Sequence, residues 1–208
     1  MLSAGASLVL SCPLILGSGS ATRAALLSEA GLKFEVCKPG IDEKSIRFEE
    51  PSELVLALGK AKAAALLTDP SFGRRRALLL TGDQVVVSDG SILEKPETAE
   101  EARRFIEQHG RIPAHTVGSC IVTDAVSGAQ WAHVDQASVS FTPFPASTID
   151  ALISEGEVFH CAGGLMVEHP LVVPHVCSIE GGQDSVMGLR KDTALRLLSQ
   201  ALAARGAD

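Results

Sequence analysis

The sequence predicts an α/β fold built around a mixed sheet. Three observations carry this reading. Short apolar runs of strand length alternate with longer stretches of helical period. Residues 77–80 are apolar throughout, as a strand buried on both faces is, whereas residues 130–141 alternate in part, as an antiparallel strand with one wet face does. No repeat, low-complexity tract or composition break marks a linker, so the 208 residues suit one domain or at most two small ones.

Leu14, Ile15 and Leu16 form the first strand, which begins at Pro13. Gly17, Ser18, Gly19 and Ser20 lead into a helix rich in helix formers, with Ser20 as its N-cap and Gly31 as its stop. Residues 34–37 read as another strand, broken by Pro39 and Gly40. Between residues 53 and 67, Leu54, Leu58, Ala61 and Ala65 recur at the helical period, after an opening at Pro51 and Ser52. Lys60 and Lys62 are two apart on that helix and so point to different sides. A surface loop over 69–76 precedes the strand 77–80. Residues 81–84 interrupt it, and 85–87 resume the β-branched run. Asp89 and Gly90 make a tight turn, with Ile92 and Leu93 returning. Thr98 and Glu101 have capping-box spacing for a helix over 99–109. A strand over 117–123, a turn at Ser127 and Gly128, and the strand 130–141 follow. A helix over 147–155 stops at Gly156, a turn occupies 180–182, and a helix over 193–204 closes the pattern.

Eighteen basic and 25 acidic side chains give a formal charge of −7, with 46% apolar residues, 4% aromatic and no tyrosine. This composition excludes disorder. The acidic balance excludes a general nucleic-acid binder, which needs a basic face to displace counterions, but not a nucleotide ligand held by a few local cations. Five cysteines at wide spacings, with no C-x-x-C, read as reduced, buried thiols in a cytoplasmic protein. The uncharged first sixteen residues lack the basic start of a signal peptide and are too short to span a bilayer as a helix. Residues 1–12 are therefore expected to be a loose leader, with no membrane partner.

Four places could carry chemistry. The loop 17–23 presents a helix N-terminus, small residues and Arg23, which suits an anion, although on local pattern alone an ordinary capped turn is the default reading. It is neither a P-loop nor a full dinucleotide fingerprint. Asp83 lies between apolar segments, where a carboxylate needs a partner or a metal, unless it simply ends a strand. Asp42-Glu43 and Glu94-Lys95 read either as site residues or as solvated loop charges. Cys161, His169, His175 and Cys177 are zinc-ligand types without the paired short spacing of a structural zinc site.

Six segments in order resemble the Maf family of nucleoside triphosphate pyrophosphatases. They are LILGSGSATRAALLSEAGLKFEV, IDEK, LVLALGKAKAAAL, TGDQVVVSDGSILEKPET, HCAGGLMVE and IEGGQDSVMGL, spread over about residues 13 to 200. The resemblance implies one domain over 13–204. Its fold would be a mixed α/β one, with a long curved sheet flanked by helices in two lobes and a cleft between them. It implies cleavage of a nucleoside triphosphate to the monophosphate and pyrophosphate with a divalent cation (Mg²⁺, Mn²⁺ or Co²⁺), and often a homodimer. Asp83 becomes the catalytic acid residue. Ser18, Arg23, Lys62 and Lys95 become phosphate contacts, and Glu43 joins Asp83 at the metal. Gln84 and Glu168 match residue types of the subgroup acting on 7-methyl-GTP, whereas the third specificity position, Thr22, does not. Ala21, Ala24, Glu94 and Arg190 also depart from the family pattern.

A carboxylate accepts paired hydrogen bonds from guanine N1–H and its 2-amino group, whereas thymine and uracil offer one N–H between two carbonyls. The expected substrate is therefore 7-methyl-GTP or another modified nucleotide. The alternatives are a dTTP/UTP pyrophosphatase of the same family and a non-catalytic nucleotide-binding regulator of cell division.

Overall fold

The computed structural model describes residues 8–70, 72 and 75–206. Most of the expected leader, and Ser71, Gly73 and Arg74 of the expected surface loop, lie outside the described residues. The chain forms two compact units. One holds the residues up to Asp83, Ser119–Asp135 and the segment from Gly188 on. The other holds Gln84–Gly118 and Gln136–Met187.

In the first unit, β1 (Leu14–Gly17) runs parallel to both β2 (Glu35–Val36) and β3 (Leu78–Thr81). The later half of β6 (Ala114–Asp124) then pairs antiparallel with β3, Leu78 facing Asp124 and Thr81 facing Ile121. The all-apolar runs are central strands, and every residue of β1 and β3 is buried. Helix α1 (Ala21–Glu29) starts as the sequence predicts, with Ser20 Oγ accepting from Arg23 N–H, and Gly31 takes the left-handed conformation beyond its end.

Helix α2 (Pro51–Thr68) packs on β1 and β3 through Leu54, Val55, Leu58, Ala63 and Leu66. Gly59 makes this approach close, because a Cβ there would press on Ile121 and Ser119. The last helix, α6 (Lys191–Arg205), is tied down at its end. Arg205 donates two hydrogen bonds to Asp124, at 2.7 and 2.8 Å, and one to the Ala77 carbonyl at 3.0 Å. Those bonds lower the Asp124 pKa to about 2.

In the second unit, β4 (Gln84–Ser88) pairs antiparallel with β5 (Ser91–Leu93) and with the first half of β6. The Asp89-Gly90 turn carries positive φ at both residues, as a two-residue hairpin loop requires. The strand β7 (Gln130–Phe141), whose residues up to Asp135 belong to the first unit, pairs with β6, and its later part pairs antiparallel with β8 (Val176–Glu180). Helices α3 (Ala99–His109), α4 (Ala146–Glu155) and the short α5 (Gln183–Val186) complete this unit. Val86, Phe105, Ile106, Val139, Phe141, Ile149 and Leu152 form its core. Thr98 caps α3, but the Glu101 carboxylate reaches back to Glu97 N–H, one residue beyond the Thr98 N–H that a regular capping box uses.

The fold is thus mixed α/β, with parallel and antiparallel strands and helices packed on them. Three segments differ from expectation. The strand expected at 34–37 shrinks to two paired residues at a sheet edge, with β1 as the strand it pairs with. Strand β6 begins at Ala114, because His115 and Thr116, polar in sequence, pair with Val87 and Val86. Strand β8 is half polar and exposed, and its extended form comes from pairing with β7. Among the described residues, no helix is long and apolar enough to cross a membrane. All five cysteines are free thiols, but the expected burial holds for Cys120 alone: Cys12, Cys37 and Cys161 are half-buried and Cys177, on the exposed strand β8, faces water.

Candidate functional site

Helix phase puts Lys62 on the buried face of α2 and leaves Lys60 exposed. The Lys62 ammonium lies 2.5 Å from Asp83 Oδ1 and 2.9 Å from Glu43 Oε1. Its side chain is 7% exposed, against 13% for Asp83 and 53% for Glu43, so the inner pair is shielded and the outer carboxylate faces water. Glu43 opens a short 3-10 turn, Glu43–Ser45, which Asp42 caps by accepting from Lys44 N–H at 3.1 Å. Asp83 lies in the two-residue gap between β3 and β4. Its N–H donates to Ser119 Oγ at 3.0 Å, and its carbonyl accepts from Ser119 N–H at 2.8 Å.

The loop after β1 supplies a second cation. Arg23 donates from Nε to the Gly188 carbonyl at 2.9 Å and from Nη1 to Ser18 Oγ at 3.3 Å. Ser18 Oγ also accepts from Ser20 N–H at 3.2 Å, which shapes the loop before the helix. Burial pulls the Arg23 pKa down, while Asp83, the Cys120 thiol and Glu43 oppose that pull, and the guanidinium stays charged. Thr22 is half-buried in the first turn of α1. The structure therefore brings Glu43, Lys62 and Asp83 into contact and sets Arg23, fixed by Ser18, within electrostatic range of them.

The remaining predicted residues belong to the second unit. Gln84 Nε2 donates to the Ser185 and Val186 carbonyls, each at 3.0 Å. Carbonyls only accept, so this bonding fixes the amide and leaves Oε1 as an acceptor. Lys95 and Glu168 are exposed residues that share a neighbour, the Cys161 thiol. Burial raises that thiol to about 11, Glu168 and Glu157 add to the rise, and Lys95 opposes it. The turn that follows Cys161 is held beside Lys95. Gly163 N–H donates to the Glu94 carbonyl at 3.0 Å, and His109 Nε2 bonds the Gly163 carbonyl at 2.8 Å. His169 pairs with Glu155 at 2.8 Å, and His175 bonds Thr142 at 3.0 Å.

Among the described residues, no group of three or more His, Cys, Asp or Glu could hold a metal ion. Asp83 and Glu43 nevertheless converge on one point, that of the Lys62 ammonium. Two carboxylates are the donor type that a hard divalent cation takes, and such an ion would have to share or take over the position that the Lys62 ammonium now holds.

Three contributors are not visible in the sequence: the Ser119 hydroxyl behind Asp83, the Gly188 carbonyl on Arg23, and the α5 carbonyls on Gln84. Two of these are backbone groups, which no residue type marks. Ser119 is one small polar residue in a strand, a signal too weak to single out.

A helix start reached through small residues, beside two cations and two carboxylates, suits a phosphate-handling α/β protein. The chain belongs to the Maf family: residues 13–201 match the family model described as Maf-like protein. A 7-methyl-GTP pyrophosphatase of Dictyostelium discoideum is 37% identical over 193 residues, covering 90% of this chain and 96% of that protein. A nucleoside triphosphate pyrophosphatase of Streptomyces coelicolor is 35% identical over 187 residues, 89% of each chain. A dTTP/UTP pyrophosphatase of Salinibacter ruber is 33% identical over 202 residues, 97% of this chain and 95% of that one.

Proposed function

We propose that residues 13–204 act as one domain that hydrolyses a nucleoside triphosphate to the nucleoside monophosphate and pyrophosphate, with 7-methyl-GTP or another modified nucleotide preferred. The observation that carries this is the shielded Lys62–Asp83 pair with Glu43 at its outer side and Arg23 nearby. A triphosphate bears nearly four negative charges and repels an attacking water. Cations in a shielded place act on those charges far more strongly than cations in bulk water. One contact at 4 Å is worth about 4 kcal/mol at an effective dielectric near 20, against about 1 in water.

Each residue then has a task. Ser18, Arg23, Lys62 and Lys95 bind phosphate oxygens, and Arg23 and Lys62 take up the charge that grows on the departing pyrophosphate. Asp83 orients the water and accepts its proton as the new O–P bond forms and the bridging O–P bond breaks. Asp83 and Glu43 would hold a divalent ion, which supplies charge neutralisation and polarises phosphorus when bound. Five unpaired thiols favour the reducing cytoplasm as the working compartment.

Base choice falls to Gln84 and Glu168, with Thr22 as a further contact. A fixed amide oxygen and a carboxylate are both acceptors, which favours a base edge with two donors, as in guanine, over thymine and uracil. The positive charge of a 7-methylated ring adds attraction to Glu168. The Salinibacter relative supports a second reading, a preference for dTTP and UTP.

The test is pyrophosphate release from 7-methyl-GTP, GTP, dTTP and UTP, with Mg²⁺, Mn²⁺, Co²⁺ or none. The expected kcat/KM for 7-methyl-GTP is at least about tenfold above that for dTTP or UTP, because a polar site left unpaired by the wrong base discriminates strongly. Equal values would favour the second reading, and no release from any nucleotide would overturn the proposal.

A further inference from the structure

We infer that Ser119 is the positioning residue that sets Asp83 against Lys62, a step that rests on the catalytic reading of Asp83 given above. Thr81 faces Ile121 and Gln84 faces Gly118 along β6, so Asp83 falls opposite Ser119 in the same register. In a regular antiparallel pair the two residues exchange both backbone bonds. Here Ser119 N–H donates to the Asp83 carbonyl in the regular way, at 2.8 Å. The return bond from Asp83 N–H goes instead to the Ser119 hydroxyl, at 3.0 Å. The strand is interrupted at Gly82 and Asp83, and the hydroxyl satisfies the donor that the interruption exposes.

The same hydroxyl donates its own proton to the Val55 carbonyl of α2 at 2.6 Å. Val55, Gly59 and Lys62 lie at i, i+4 and i+7 and therefore on one face of the helix. Each is tied to the sheet side in turn. Ser119 Oγ holds the Val55 carbonyl, Thr81 Oγ1 donates to the Gly59 carbonyl at 2.9 Å, and the Lys62 ammonium meets Asp83. Ser119 is 2% exposed and Thr81 is fully buried, so water does not compete for these bonds. Ser119 thus touches both carriers of the pair, the backbone of Asp83 and the helix of Lys62. An ion pair with one atom at 2.5 Å leaves no slack, and misplacement by about 1 Å can lower turnover about 100-fold.

The experiment compares Ser119→Ala with Ser119→Cys, which replaces the hydroxyl by a slightly larger thiol that bonds weakly. Both should lower kcat for the best nucleotide about 10- to 100-fold and leave KM within about threefold, with alanine the worse. In a Lys62→Met background, Ser119→Ala should cost less than about threefold more, because the pair it serves is already gone. Asp83 amide hydrogen exchange, followed by NMR, should speed up selectively in Ser119→Ala, with Leu79 of β3 unchanged. A wild-type kcat in Ser119→Ala, or full multiplication of the two effects in the double variant, would overturn the inference. The exchange measurement needs no turnover. If no nucleotide is cleaved, unchanged exchange at Asp83 overturns the Ser119 assignment separately, and selective acceleration upholds it.

Discussion

Arg23 illustrates how much at the residue scale depends on shape as well as charge. Two of its five N–H donors are already placed, on the Gly188 carbonyl and on Ser18 Oγ, and this aims the remaining fork. Arg23→Lys keeps the charge but cannot hold both bonds. The expected outcome is a KM for the nucleotide raised about tenfold or more in steady-state kinetics, and an unchanged KM would show that only the charge matters. Arg23 was legible in the sequence because a Ser N-cap and small residues precede it. Lys62 was separated from Lys60 by helical spacing alone, and the structure buries the first and exposes the second. Contact between Lys62 and Asp83 was not derivable from spacing, since it joins residues 21 apart on different elements. The family resemblance named both residues without showing that they touch.

At the scale of elements, local rules located most of the pieces. The Asp89-Gly90 turn, the Thr98 cap, the Gly156 stop and the span of β7 follow from residue chemistry that acts within a few positions. The failures share a cause. Strand β8 and the start of β6 are made by partners distant in sequence, and neighbouring residues carry no record of them. The break at Gly82 and Asp83 was legible as an interruption, and the need for glycine in it is now visible: a Cβ at position 82 would collide with the Ser119 carbonyl oxygen. That obstacle is backbone and cannot move aside like a side chain. Gly82→Ala should therefore destabilise the protein by about 2 kcal/mol or more in urea unfolding, at the upper end of ordinary overpacking. A change within about 0.5 kcal/mol would contradict the tight contact.

At the scale of the whole molecule, two groups tie stability to pH in the same direction. Burial pushes the His109 pKa below its ordinary 6.5, partly opposed by the bond to Gly163, and among the described residues no partner meets its buried Nδ1. The unfolded chain then binds the proton more readily, so stability is full above about 6.5 and falls as pH drops toward the lowered value. Asp124, held near 2 by Arg205 against an ordinary 3.8, contributes stability above the unfolded value that is lost as pH falls through 2. The urea midpoint should thus decline as pH falls below about 6.5 and again below about 4. His109→Gln should flatten the first decline and Asp124→Asn the second; an unaltered profile in either variant would contradict the assignment. These determinants lie outside the proposed chemistry, whose central claim is that Asp83, set against Lys62, lets water cleave the anhydride. The most direct measurement is single-turnover pyrophosphate formation by the wild type and by Asp83→Asn, at equal nucleotide occupancy and with the divalent ion present. The account predicts a rate at least about 1,000-fold lower in the variant with nucleotide still bound; equal rates would contradict it.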